Sequence, residues 1–307
     1  MPQSENSSAA RVELIEVGPR DGLQNESVLL TTAQKIDLIG RAISAGARRI
    51  EVTSFVHPDR VPQMADAEAV VAALPEVSGI VYIGLVLNKR GALRALETKV
   101  HELGAVCVAT DSFAQRNQGQ TSQESLDVAC GVVRLARAEG RNGQITIGAS
   151  FGCPFEGEVD PRRVVDMAKR AAEVEPREIA LADTIGVAVP SQVRDLVGAV
   201  RDAIGSIPVR CHFHNTRNTA VANAWTAFEA GARSFDASIG GIGGCPFAPA
   251  ATGNVATEDL TYLFERAGVA TGVSLAGAIA NSVWLGSVMG RELSGMVARA
   301  GAFPGTN

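Results

Sequence analysis

Long apolar runs are missing from this chain of 307 residues: no stretch approaches the roughly 18 uninterrupted apolar residues of a membrane-spanning helix. Its first ten residues, MPQSENSSAA, are polar and lack the apolar segment of a secretory signal, so the protein is expected in the cytoplasm, away from membranes. Clustered positive charge is missing too. With 28 Lys and Arg against 33 Asp and Glu, the formal net charge is −5, and no basic stripe is present to meet a phosphate backbone, which excludes nucleic acid as a partner. The five cysteines, Cys107, Cys130, Cys153, Cys211 and Cys245, are odd in number, widely spaced and free of any CxxC. That pattern suits reduced thiols rather than a disulfide framework. Histidine is scarcer still, with four in all.

Two of those four, His212 and His214, close the apolar run IPVRCHFHNT. On a strand, residues i and i+2 share a face with Cα atoms about 7 Å apart, so both imidazoles could meet at one metal ion. Seven further apolar, β-branched runs occur, at 11–17, 49–55, 80–86, 105–111, 144–150, 178–184 and 233–239. Between them lie segments with helical spacing, such as Ile36, Ile39 and Ile43, or Val193, Leu196, Val197 and Val200. Eight strand-then-helix units predict an α/β protein of the (β/α)8 TIM-barrel class, whose strands are continuously apolar because both faces are buried. A dinucleotide-binding doubly wound sheet would need GxGxxG directly after the first strand. That position reads VGPRDGLQNE, and the later GGIGGCP fails the spacing. Residues 1–10 are expected to be a disordered tail. Residues 11–307 are expected to be one catalytic domain with a C-terminal helical extension, since no linker divides them.

In such a barrel the strand ends face the active-site mouth. Arg20 and Asp21 follow strand 1, Glu51 lies in strand 2, Asp183 and Thr184 end strand 6, and His212 and His214 end strand 7. Cys245 and Asn254 lie in the glycine-rich loop after strand 8. Each has a structural alternative: an HxH pair can be a packed core pair, Asp21 before Gly22 suits a turn cap, Arg20 a surface ion pair, and a lone Cys245 a packing role. A buried Glu51 would require a partner such as Arg20. Taken together, one Asp oxygen, two imidazoles and the Asn254 amide oxygen form a mixed N/O set suited to Mg2+ or Mn2+. Zinc would be expected to recruit Cys211 or Cys245.

The stretches EVGPRDGLQNE (16–26), IEVTSFV (50–56), LADTIGV (181–187) and GGIGGCPFAPAATGNVATEDL (240–260) resemble the 3-hydroxy-3-methylglutaryl-CoA lyase family. The match spans essentially residues 12–265, and the motif around Cys245 is its most specific part. The resemblance implies that Asp21, His212, His214 and Asn254 hold the divalent cation, that Arg20 contacts the substrate thioester, and that Cys245 is the proton-transfer thiol. Glu51 and Asp183 match catalytic polar residues of the family, and Gln24 and Thr184 match substrate contacts. It further implies an acyl-CoA substrate, a homo-oligomer (dimer or tetramer), and retro-Claisen cleavage to acetyl-CoA and acetoacetate, as in leucine catabolism and ketone-body formation. The base that takes the hydroxyl proton stays open between Asp183, His212 and a bound water. After the HxH, family members carry Asp-Thr-Tyr-Gly where this chain reads NTRNT, so Asn215 removes a carboxylate and Arg217 adds a cation. Citramalyl-CoA or a longer 3-substituted 3-hydroxyglutaryl-CoA is the alternative substrate. A condensing synthase ranks below it, and a catalytically silent CoA-binding barrel would have no need of Cys245.

Overall fold

The computed structural model describes residues 10–244 and 253–304; the expected disordered tail, apart from Ala10, and Cys245 lie outside the described residues. Strands β1 (Glu13–Glu16), β2 (Arg49–Ser54), β3 (Val81–Val86), β4 (Glu102–Val108), β5 (Asn142–Gly148), β6 (Ile179–Asp183), β7 (Val209–Phe213) and β8 (Ser234–Ala237) close a barrel in sequence order. All eight pairings are parallel, including β8 with β1. Helices alternate with them: α1 (Thr32–Ser44), α2 (Ala67–Ala73), α3 (Lys89–Leu96), α4 (Asp111–Gln118), α5 (Ser122–Ala138), α6 (Pro161–Ala172), α7 (Pro190–Ile204), α8 (Ala220–Glu229) and α9 (Thr257–Arg266). The TIM barrel read from eight apolar runs is the observed fold. Two further helices, α10 (Leu275–Met289) and α11 (Met296–Ala300), form the C-terminal extension. Among the described residues no helix is long and apolar enough to cross a membrane.

Two local readings shift. Strand β4 begins at Glu102, three residues before the apolar run, because this fully buried carboxylate meets Arg49 of β2 at 2.7 Å. In α1 the buried face is Lys35, Leu38, Ile39 and Ala42, which leaves Ile36 and Ile43 only partly covered. A lysine occupies that face because its ammonium reaches Asp66 Oδ1 at 2.6 Å and the Gln63 carbonyl, so the charge is buried with partners. Helix α7 buries Val193, Leu196, Val197 and Val200 as its spacing predicts. The helix N-termini are locally encoded as well: Thr31 with Gln34 and Thr121 with Glu124 form reciprocal capping boxes at α1 and α5.

Ionic groups run through the barrel interior near the strand starts. Arg49 donates to Glu13, Glu102 and Glu178 at 2.8, 2.7 and 2.7 Å. Arg210 of β7 reaches Glu178 at 3.3 Å, the Thr146 hydroxyl at 3.1 Å and Asp236 of β8 at 3.5 Å. Both arginines are essentially inaccessible, and a buried guanidinium is tolerable only when carboxylates surround it in this way.

Candidate active site

Between β1 and α1 the chain makes a wide helical turn, Gly18–Gly22, that opens with Pro19 and carries Arg20 and Asp21 into the mouth of the barrel. Gly22 is required there by contact, since a Cβ would stand 2.7 Å from both Ile242 Cγ1 and Ser238 Oγ. The turn is held from below by Glu16, whose carboxylate accepts from the Gly18 and Ile239 amides at 2.8 and 3.0 Å and from the Thr257 hydroxyl at 2.7 Å. Burial raises the Glu16 carboxyl to about 7 against those bonds.

Arg20 donates through Nε to Glu51 Oε1 and through a terminal nitrogen to Asp21 Oδ1 at 2.6 Å. The partner that a buried Glu51 requires is therefore Arg20, as the sequence suggests. Burial, reinforced by Asp236 and Asp21, keeps the Glu51 carboxyl above the usual range in spite of Arg20. For Asp21 the balance is opposite: burial is outweighed by Arg20 and by both imidazoles, so its carboxyl stays well below the ordinary range.

The second oxygen of Asp21 accepts from Asn254 Nδ2 at 2.8 Å and lies 4.0 Å from His212 Nε2. His212 and His214 leave β7 on one face with ring centroids 5.2 Å apart. Ligand atoms of Asp21, His212 and His214 all fall within 4.8 Å of one another. Asn254 also donates to the Ile242 carbonyl at 3.1 Å, which leaves its Oδ1 buried without a hydrogen bond, and His214 Nδ1 is equally unpaired. Burial and the neighbouring His212 push His214 down to about 4, so it stands neutral. Two orphaned acceptors beside a carboxylate and an imidazole are the arrangement a hard cation would complete. Cys211 alternates to the other face of β7 and is buried, with its thiol pushed up by desolvation.

Other expected residues surround this cluster with less direct geometry. Asp183 is fully buried, and its oxygens accept from the Val187 and Ala188 amides at 2.9 and 3.0 Å, which shapes the loop after β6. Thr184 accepts from the Ala149 amide at 2.9 Å. Gln24 follows the Gly18–Gly22 turn and is partly exposed. The ends of the loop that carries Cys245 are tethered: Asn25 donates to the Gly244 carbonyl at 2.8 Å, and the Gly253 carbonyl accepts from the Asn215 amide at 2.8 Å. Arg217 donates to the Ile185 and Gly186 carbonyls at 3.1 and 3.0 Å, joining the loops after β6 and β7, and Asn215 accepts from the Ala220 amide at the start of α8.

Asp236, which sequence reasoning missed, lies opposite His212 in the β7–β8 register, with Oδ2 3.0 Å from Nδ1. A lone carboxylate inside the run RSFDASI was the available signal, the same kind that marked Glu51.

The family model described as HMGL-like matches residues 11–282. The chain is 43% identical to (R)-citramalyl-CoA lyase of Chloroflexus aurantiacus over 94% of its own length and 95% of the relative's. It is 37% identical to the hydroxymethylglutaryl-CoA lyase YngG of Bacillus subtilis over 92% and 95%. Among solved structures, an HMG-CoA lyase from Acinetobacter baumannii in complex with coenzyme A and 3-methylmalate superposes with a TM-score of 0.93 at 37% identity, covering 99% of both chains.

Proposed function

This chain belongs to the HMGL-like family, and from that premise we propose that it is a carbon–carbon lyase cleaving 3-hydroxy-3-methylglutaryl-CoA to acetyl-CoA and acetoacetate. The observation that carries the reading is the convergence of Asp21, His212 and His214 within 4.8 Å beside the Arg20–Glu51 pair. Asp21, His212, His214 and Asn254 are the residues that would hold a divalent cation, Mg2+ or Mn2+ by their mixed oxygen and nitrogen donors. Bound there, the cation supplies Lewis-acid polarisation of the substrate's tertiary hydroxyl.

The chain's own residues account for the remaining chemistry. Breaking the C2–C3 bond sends the hydroxyl proton to a base, open between Asp183, His212 and a bound water, leaves a ketone at C3 and puts the electron pair on the thioester enolate. Arg20, fixed by Glu51 and Asp21, holds the thioester oxygen and stabilises that enolate with a charge-assisted bond. Cys245 delivers a proton to C2, and its thiolate is afterwards reprotonated from solvent. Asp183 holds the loop after β6 in place, with Thr184 at the end of β6 and Gln24 after the first turn as substrate contacts. The family resemblance supports a homo-oligomer that serves leucine breakdown and ketone-body formation, and the polar first ten residues support a cytoplasmic place for it.

(R)-Citramalyl-CoA is the second reading, favoured by the 43% identical relative; Asn215 and Arg217 in place of Asp and Tyr depart from the family pattern without choosing between the two substrates. The two substrates differ by one methylene between the carbinol carbon and the carboxylate, a difference worth about 1–3 kcal/mol to a binding pocket. The decisive measurement is acetyl-CoA release from each thioester with Mg2+ present, compared as kcat/KM. A preference above about tenfold for citramalyl-CoA would replace the first substrate by the second, and no release from either would end the lyase reading.

A further inference from the structure

Asp236 stands between two groups that constrain it from opposite sides. Its Oδ2 is 3.0 Å from His212 Nδ1, and its Oδ1 faces Arg210 Nε at 3.5 Å. All three side chains are nearly inaccessible to water, so neither oxygen can exchange its partner for solvent. Arg210 is in turn fixed by Glu178 and the Thr146 hydroxyl, and Glu178 by Arg49. Arg210 and His212 are two residues apart on β7, and Asp236 is in register with His212 on β8, so the arrangement is set by the barrel itself rather than by a loop. A carboxylate paired with a guanidinium accepts and does not donate. The only proton that can lie between Asp236 and His212 is then the one on Nδ1, so in the neutral ring the lone pair is on Nε2, which faces Asp21 at 4.0 Å.

We propose that Asp236, oriented by Arg210, is a positioning residue that fixes His212 in its Nδ1–H tautomer and so keeps Nε2 available to a cation at Asp21 and His214. The inference deepens the proposed function and rests on its reading of Asp21, His212 and His214 as ligands.

The geometry gives Asp236→Asn a specific consequence. A carboxamide has one acceptor and one donor end, and Arg210 offers only donors, so the amide oxygen turns to Arg210 and the NH2 to His212. His212 Nδ1 must then accept, and its proton moves to Nε2, where it blocks ligation. Removing the guanidinium frees the amide to rotate, so Arg210→Met combined with Asp236→Asn should restore an acceptor to Nδ1.

Two measurements test this. The first needs no metal: the 15N NMR spectrum of imidazole nitrogens in a protein with four histidines, with the His212 signals assigned by their loss in His212→Gln. Burial is outweighed at His212 by Asp236 and Asp21, which raise its pKa, so the spectrum is taken at a pH high enough for the ring to be neutral; the expected pattern is then Nδ1 protonated and Nε2 bare in the metal-free protein, inverted in Asp236→Asn. A wild-type His212 bearing its proton on Nε2 in the neutral ring overturns the proposal even if the Asp236 and Arg210 variants fail to fold. The second is Mn2+ affinity by EPR of the free ion, with the fold of each variant checked by circular dichroism. Asp236→Asn should bind Mn2+ about 10- to 100-fold more weakly than wild type. The double variant should recover at least about tenfold of that loss, which a merely structural Asp236 would not produce. A folded Asp236→Asn with wild-type Mn2+ affinity overturns the proposal, as does a double variant no tighter than the single one. If wild type binds no Mn2+, or His214→Ala binds it as wild type does, the ligand reading falls instead. The tautomer pattern then decides alone whether Asp236 positions His212.

Discussion

Replacing Arg20 by Met tests the site at its most connected cation. The substitution keeps the length of the side chain and deletes the charge that faces Glu51 and Asp21. Two consequences follow, and they separate. Turnover loses the donor aimed at the developing enolate, which corresponds to a fall in kcat of on the order of 10²-fold or more, about 2.7 kcal/mol of transition-state stabilisation. Stability loses the partner of a carboxylate that is 4% exposed, a change that costs about 3–5 kcal/mol when the remaining charge cannot escape. Glu51 can escape by protonation. Burial already holds its carboxyl above the usual range, and without Arg20 that shift grows. A carboxyl whose folded pKa is raised binds its proton more tightly in the folded state than in the unfolded chain, so its penalty is absent below about pH 4.5, grows as pH rises from there, and is complete once pH passes the folded value. The variant should therefore approach wild-type stability in acid and fall away from it towards pH 8, as followed by urea unfolding at several pH values with kcat and KM taken in parallel. A raised KM at unchanged kcat would mean that Arg20 supplies uniform binding. A stability deficit independent of pH would refute the account of Glu51.

Exhaustive chelation should abolish activity, and Mg2+ or Mn2+ should restore it; His214→Ala should raise the metal concentration needed, and full turnover in excess chelator would remove the cation from the mechanism. Cys245→Ala should suppress turnover while coenzyme A still binds, and normal turnover would return that thiol to a packing role. Glu16, raised to about 7 by burial, should act against stability as pH climbs from about 4.5 to 7, because the unfolded chain loses that proton first. Glu16→Gln should remove this contribution, so the difference between variant and wild-type stability should shift in favour of the variant between pH 5 and pH 8; an unchanged difference would mean that Glu16 keeps an ordinary pKa.

The eight strands are legible because strands buried on both faces must be apolar throughout, and the site is legible because scarce residue types gather at strand ends. Arg20, Asp21, His212, His214 and Asn254 come together as the sequence suggests. What escapes is charge placed inside the elements. Glu102 reads as a loop residue and Lys35 as a solvent-facing one, since a charged side chain is ordinarily exposed. Their burial depends on Arg49 and Asp66, which lie on other elements and meet them only once the chain is folded. Asp236 is hidden for the same reason. Its partners Arg210 and His212 belong to the neighbouring strand, and no spacing within RSFDASI announces them.

These internal charges also bear on what the mouth can hold. A connected path of ion pairs runs from Arg49 through Glu102 and Glu178 to Arg210, Asp236 and His212, and on to Asp21, Arg20 and Glu51. Glu13 and Arg177, each about a third exposed, offset one another at its lower rim. Along the enclosed part of the path, three guanidiniums meet five carboxylates. With the imidazoles neutral, full ionisation would leave two negative charges in a low-dielectric interior, where an uncompensated charge is costly. The carboxylates nearest the mouth, Asp21 and Glu51, share a single arginine, so one of the two missing charges falls where Asn254 Oδ1 and His214 Nδ1 stand without partners, and the other lies deeper, where Glu102, Glu178 and Asp236 share Arg49 and Arg210. A cation bound at that cluster of oxygen and nitrogen acceptors would supply the positive charge that the mouth lacks.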